Sequence, residues 1–110
     1  MTRVVINNCF GGFSISRECA ELMKKLGSEA AATALRESNA AEARSCYLAN
    51  NYPRHCSTLI KAIETLGSRA NGAVAQLEVV QLKGDVYMIK EYDGLETVVE
   101  PKDIPWVHAK

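Results

Sequence analysis

The chain has no excess of either charge. Its 110 residues carry 13 basic and 13 acidic side chains, and the isoelectric point is near 6.7. A module that grips duplex nucleic acid presents a basic face to neutralise phosphates. General nucleic-acid binding is therefore disfavoured, while a local pocket for one phosphorylated ligand stays open. No apolar run approaches the roughly 18 residues that a membrane span requires. The first residues hold one arginine and a short strand-like segment, where a signal peptide would have a long apolar core. The expectation is a soluble cytosolic protein. No gap between Cys9, Cys19, Cys46 and Cys56 matches the two to four residues of a zinc knuckle. These are expected to be reduced thiols with no metal. A Cys9–His55 nucleophile pair is compatible with the spacing, yet no paired carboxylates or Ser/His/Asp order accompany it. No enzymatic activity or cofactor is expected.

What the chain does have is concentrated in its first sixteen residues. Val4-Val5-Ile6 reads as a buried strand, Asn7-Asn8-Cys9-Phe10-Gly11-Gly12-Phe13-Ser14 as a glycine-bearing turn, and Ser16 as the start of a helix. A strand running through two glycines into a helix N-terminus leaves free amide groups and a positive dipole end at one sheet edge, where anions are stabilised. Phe10 and Phe13 are placed to cover a ring. The spacing fits neither a phosphate-binding Walker loop nor a dinucleotide fingerprint. The plainer alternative is a tight turn with two core phenylalanines.

Helical spacing of Ile15, Cys19, Leu22, Met23 and Leu26 predicts a helix over Arg17 to Leu26. Ser16 would be its N-cap and Gly27 its C-cap. Residues 28–51 are alanine-rich and weakly apolar, a helical or mobile insertion ending in a loop through Asn50-Asn51-Tyr52-Pro53. A helix from Ser57 to Leu66, capped by Ser57 and stopped by Gly67, follows. The period then changes: residues 75–82, 86–92 and 95–100 read as strands, with Asp93-Gly94 as a two-residue hairpin turn. Trp106 in the proline-bearing tail is expected to pack back. The fold class is α+β, a single domain. An antiparallel sheet of about four strands, the N-terminal strand plus a three-strand meander, would be covered by two or three helices. Its other face would need solvent or a partner, and its open edges point to a homo-oligomer.

Two polar clusters stand out. Arg54 and His55 follow Pro53 and precede a helix, so the planar guanidinium could clamp an anion; a surface arginine and a solvent-facing histidine fit equally well. Tyr92, Asp93 and Glu96 gather acids beside an aromatic at the hairpin tip. They suit ribose hydroxyls or a merely solvated turn.

The segment 4–16, Pro53-Arg54-His55 leading to a helix that ends Glu64-Thr65-Leu66-Gly67, and the Glu91-Tyr92-Asp93-Gly94 hairpin together resemble the first Thoeris anti-defence family of phage sponge proteins. The likeness spans about two thirds of the chain and omits the alanine-rich stretch. Two departures stand beside it: Cys56 replaces an acid after the Arg-His pair, and Lys102 is the base nearest before Pro105-Trp106. The resemblance implies an oligomeric α+β protein in the host cytoplasm. It would sequester cyclic ADP-ribose isomers, and cyclic oligonucleotides in separate pockets, without degrading them. The alternative is a phage inhibitor that blocks a host defence protein directly. The candidate ligand-binding set is Asn7, Cys9, Phe10, Gly11, Gly12, Phe13, Ser14, Arg54, His55, Tyr92, Asp93 and Glu96.

Overall fold

Val4-Val5-Ile6 is an uninterrupted apolar run because it is buried from both sides. In a computed structural model of the chain, which describes residues 2–38, 45–48 and 52–109, strand β1 (Arg3–Asn7) pairs antiparallel with β2 (Leu77–Gln81), Val5 opposite Val79. Val5 joins the larger core, with Ile15, Cys19, Met23, Leu59 and Ile63 from the helical layer. Val4 and Ile6 join Leu82 in a second core, against which Tyr87, Ile89 and Val98 pack. Alternate side chains of a strand point to opposite faces, so β1 sits between the helices and the C-terminal hairpin. At about 25 cal/mol per Å² of buried apolar surface, a strand covered on both faces contributes more than one with a wet side.

The fold is α+β, as the sequence implies, with four antiparallel strands among the described residues. The expected single sheet is corrected: β3 (Met88–Tyr92) and β4 (Leu95–Val99) form their own two-stranded sheet, and β2 pairs with β1 alone. The physical reason lies in Val4 and Ile6. Their face needs an apolar cover, and the hairpin supplies it by packing across β1–β2 rather than extending the sheet. The second face is thus covered from within the chain, which removes one argument for a partner there. The Asp93-Gly94 turn has φ of 51° and 92°, the two positive values of a type I′ turn.

Helix α1 (Arg17–Lys25) starts at Ser16, whose hydroxyl accepts from the Cys19 amide at 2.9 Å; Leu26, not Gly27, is its C-cap, and Gly27 follows at φ 100°. Helix α2 (Glu29–Ser38) corrects the view that residues 28–51 bury little: Ala31, Ala34 and Cys46 are core. Small side chains let α2 approach α1 closely, so few apolar atoms still make a dense contact. Cys46 is tied to Ile15 by reciprocal backbone hydrogen bonds of 3.0 and 2.8 Å. The rest of that insertion, 39–44 and 49–51, lies outside the described residues. Helix α3 (Ser57–Leu66) has the expected bounds and the expected Gly67 stop, but Cys56, not Ser57, is its N-cap. Trp106 remains 69% exposed, with its indole N–H donating to the Pro101 carbonyl, so the tail does not bury it. No helix among the described residues is long and apolar enough to cross a membrane.

Candidate functional site

Asn7 ends β1 and is fully buried. Its side-chain amide donates to the carbonyls of Cys9 (2.9 Å) and Gly94 (2.8 Å), and its carbonyl oxygen accepts from the Gln76 amide (2.8 Å) and the Cys9 thiol (3.5 Å). Two donors and two acceptor positions are all the side chain has. Asn7 therefore knots together the glycine turn, the approach to β2 and the hairpin tip. It is a positioning residue, with no group left for a ligand.

Gly11 and Gly94 are needed where their backbone touches other backbone, Gly11 against Val74 and Gly94 against the glycine turn. A Cβ on Gly11 would stand 1.6 Å from the Val74 carbonyl oxygen, and one on Gly94 would stand 2.6 Å from the Gly12 nitrogen. Close backbone approach of this kind admits no side chain. Gly12 itself has φ 90° with open space around it.

Beside this contact lies a cavity of about 270 Å³ lined by Gly12, Phe13, Tyr47, Leu48, Arg54, Glu91, Gly94 and Glu96. Three sequence-distant segments meet there. The Arg54 guanidinium stacks on the Phe13 ring, its central carbon 3.6 Å from the ring centroid. Both of its terminal nitrogens donate to Glu96, at 2.6 and 2.8 Å, and one also donates to the Val5 carbonyl. The Glu96 carboxylate further accepts from the Asn7 amide at 2.8 Å. The fork that the sequence offers to an anion is thus occupied by a carboxylate of the same chain. Arg54 clamps a ligand phosphate only if that phosphate replaces Glu96.

Glu91 sits directly opposite Glu96 in the β3–β4 register. Like charges facing each other across strands are destabilising. Here Arg54 neutralises one carboxylate, and the other accepts from the Gly94 amide. Glu91, Tyr47 and Leu48 line the cavity although they were absent from the sequence-derived set. For Glu91 the signal was present, since it lies two residues from the hairpin turn on the same face as Ile89. Tyr47 and Leu48 follow no periodic pattern.

Other candidates fall elsewhere. Phe10 is 63% exposed and outside the cavity lining. Tyr92 is 76% exposed on the outer hairpin face, and Asp93 is exposed in the turn. The single thiol hydrogen of Cys9 is shared between the Val74 carbonyl, at 3.2 Å, and the Asn7 side-chain oxygen. Ser14 is buried, and its hydroxyl has no partner among the described residues; a Cβ on Gly72 would collide with it. His55 points away from Arg54, with Nδ1 2.8 Å from the Tyr87 hydroxyl.

One residue on, Cys56 is tuned by its neighbours. Burial raises its thiol, but the Tyr52 hydroxyl, the Leu59 and Thr58 amides and the Thr58 hydroxyl outweigh that and hold it below the ordinary range. Tyr52 donates to the Cys56 sulfur at 3.1 Å. Burial first, and this bond second, push the Tyr52 phenol up to about 12. No group of three or more metal-ligating side chains occurs among the described residues. Comparison with protein-family models, curated proteins and solved structures returns no match.

Proposed function

We propose that this chain is a phage sponge that binds and sequesters a cyclic nucleotide immune signal, a cyclic ADP-ribose isomer before a cyclic oligonucleotide, and releases it unchanged. The observation that carries the reading is the convergence of the glycine turn, the Arg54 loop and the acidic hairpin on one cavity. These are the segments on which the family resemblance rests. Their chemistry suits a nucleoside. Carboxylates accept hydrogen bonds from ribose hydroxyls, and Glu91 and Glu96 supply two of them. The outer face of the Arg54–Phe13 stack and the exposed Tyr47 ring offer flat surfaces to a base. At about 270 Å³ the cavity is just smaller than the common range of about 300–1,000 Å³ for ligand pockets, so the ligand is proposed to enter in part, with its phosphates at the mouth.

The test is retention. The purified protein is mixed with cyclic ADP-ribose isomers and with cyclic oligonucleotides, separated from free ligand, heated, and the supernatant chromatographed. Intact ligand is expected. A cleaved product, or no retained ligand at all, overturns the reading.

A second reading, inhibition of a host protein by direct contact, is favoured by one specific feature. The outer hairpin and the tail expose Val86, Met88, Tyr92, Trp106 and Val107. The same surface suits a second copy of the chain, so the sponge is proposed to be a homo-oligomer. Light scattering should then return a mass well above the 12.0 kDa of one chain, and a monomer at micromolar concentration would favour the inhibitor.

A further inference from the structure

A second cavity lies away from the site above and is lined by different chemistry. It measures about 520 Å³ and opens between the start of β1 (Thr2, Arg3), His55, and one stripe of α3 (Ser57, Ile60, Lys61, Glu64). Residues 57, 60, 61 and 64 share a helix face because their spacing is three, four and seven. Arg54 and His55, adjacent in sequence, thus serve two separate hollows.

The polar wall is cationic. Arg3 pairs with Glu64 across the cavity, with side chains 45% and 50% exposed. A pair so exposed to water contributes little and yields readily to a competing anion. Lys61 adds a second positive charge, and its ammonium has no partner among the described residues. The Tyr87 hydroxyl lies 2.8 Å from His55 Nδ1. With that hydroxyl as donor, Nε2 carries the hydrogen and donates into the open space. The Ser57 hydroxyl is a further donor. Ile60, 5% exposed and part of the larger core, supplies the apolar floor of the cavity. Guanidinium, ammonium, imidazole N–H and hydroxyl around one hollow suit a compact, highly charged oxyanion. The hollow is larger than inorganic phosphate alone would fill.

The geometry points to a second ligand site, one that holds a small phosphate monoester with its phosphate between Arg3 and Lys61 and its organic part over Ile60. The assignment is independent of the sponge reading, because no residue is shared between the two linings.

The test is an amide-resolved NMR titration of the full chain with glycerol 3-phosphate and, separately, inorganic phosphate, at ionic strength matched with chloride. Neither probe carries a base or ribose, so the nucleoside cavity is not reported. Saturable shifts at Arg3, Ser57 and Lys61 are expected, with glycerol 3-phosphate the tighter probe. Lys61→Met should weaken binding tenfold or more while leaving the rest of the spectrum and cyclic nucleotide retention unchanged. Glu64→Gln, which frees Arg3, should tighten it. The inference is overturned if the shifts are absent, if they centre on residues outside this wall, or if Lys61→Met binds like the parent chain.

Discussion

The Arg54 guanidinium holds the Glu96 carboxylate with both terminal nitrogens, and both partners are largely removed from solvent, 16% and 7% exposed. A desolvated, bidentate pair contributes little net stability, because its own desolvation offsets the attraction, but it is costly to break on one side, because the survivor is left as an unpaired buried charge. Glu96→Ala should destabilise the fold by about 3 kcal/mol, since the Asn7 amide loses its acceptor as well. Arg54→Ala should cost a similar amount, and the double variant less than the sum of the two. Urea denaturation of the four proteins checks this; additive losses would mean the pair is not coupled.

The contact between the two glycine segments separates steric from conformational cost. Gly94→Ala places a methyl group into the Gly12 and Phe10 backbone and should cost more than about 2 kcal/mol. Gly12→Ala meets open space and bears only the strain of its positive φ, about 1–2 kcal/mol. Thermal melts of the two variants should rank in that order.

Thiol reactivity should follow the local fields. Cys19 and Cys46 are fully buried, whereas Cys56 is partly exposed and its thiolate is stabilised by Tyr52 and the first turn of α3. Timed alkylation at pH 7.5 with mass mapping should therefore label Cys56 long before Cys19 or Cys46. Tyr52→Phe should slow the labelling of Cys56, because it removes a hydrogen bond to the thiolate.

Alkaline stability has a definite sign. Burial, with Cys46 nearby, pushes the Cys19 thiol up to about 12 from its ordinary 9.0, and Tyr52 rises to about 12 from 10.0. A raised acid keeps its proton in the folded chain while the unfolded chain has already lost it. The stabilisation from these two groups is complete below pH 9 and should drain away between pH 9 and 12. Cys56 works the other way: its lowered thiol adds stability above its unfolded value and loses it as the pH falls. Denaturation midpoints should therefore fall above pH 9, and Cys19→Ala should flatten part of that fall.

Much of this architecture is legible in the sequence where local rules act alone. Ser16, Gly27 and Gly67 mark helix ends through capping and positive φ, and Asp93-Gly94 specifies its turn. The split of the β3–β4 hairpin from the β1–β2 sheet is different. It depends on which surface best covers Val4 and Ile6, a long-range choice that periodicity does not encode. The site divides in the same way. Gly12, Phe13, Arg54 and Glu96 are visible as residue types suited to a ligand, and the fold brings them together. That Arg54 is already engaged by Glu96, and that Asn7 is spent on backbone partners, follows only from their meeting in space. Tyr47 and Leu48 had no local signal because their role is set by where Cys46 docks on Ile15.

The first strand is also the one with the longest wait. Val5 is synthesised before α1, α2 and α3, yet its partner Val79 follows more than seventy residues later, and the hairpin that covers Val4 and Ile6 comes later still. Until then three consecutive apolar side chains have no sheet to join, so the emerging chain carries an adhesive segment past the ribosome. Closing so long a loop is expected to make the β1–β2 pairing a late, slow step of folding. Nascent chains arrested before residue 77 should hold helices but no protected strand, and should depend on chaperones in a way that the finished protein does not.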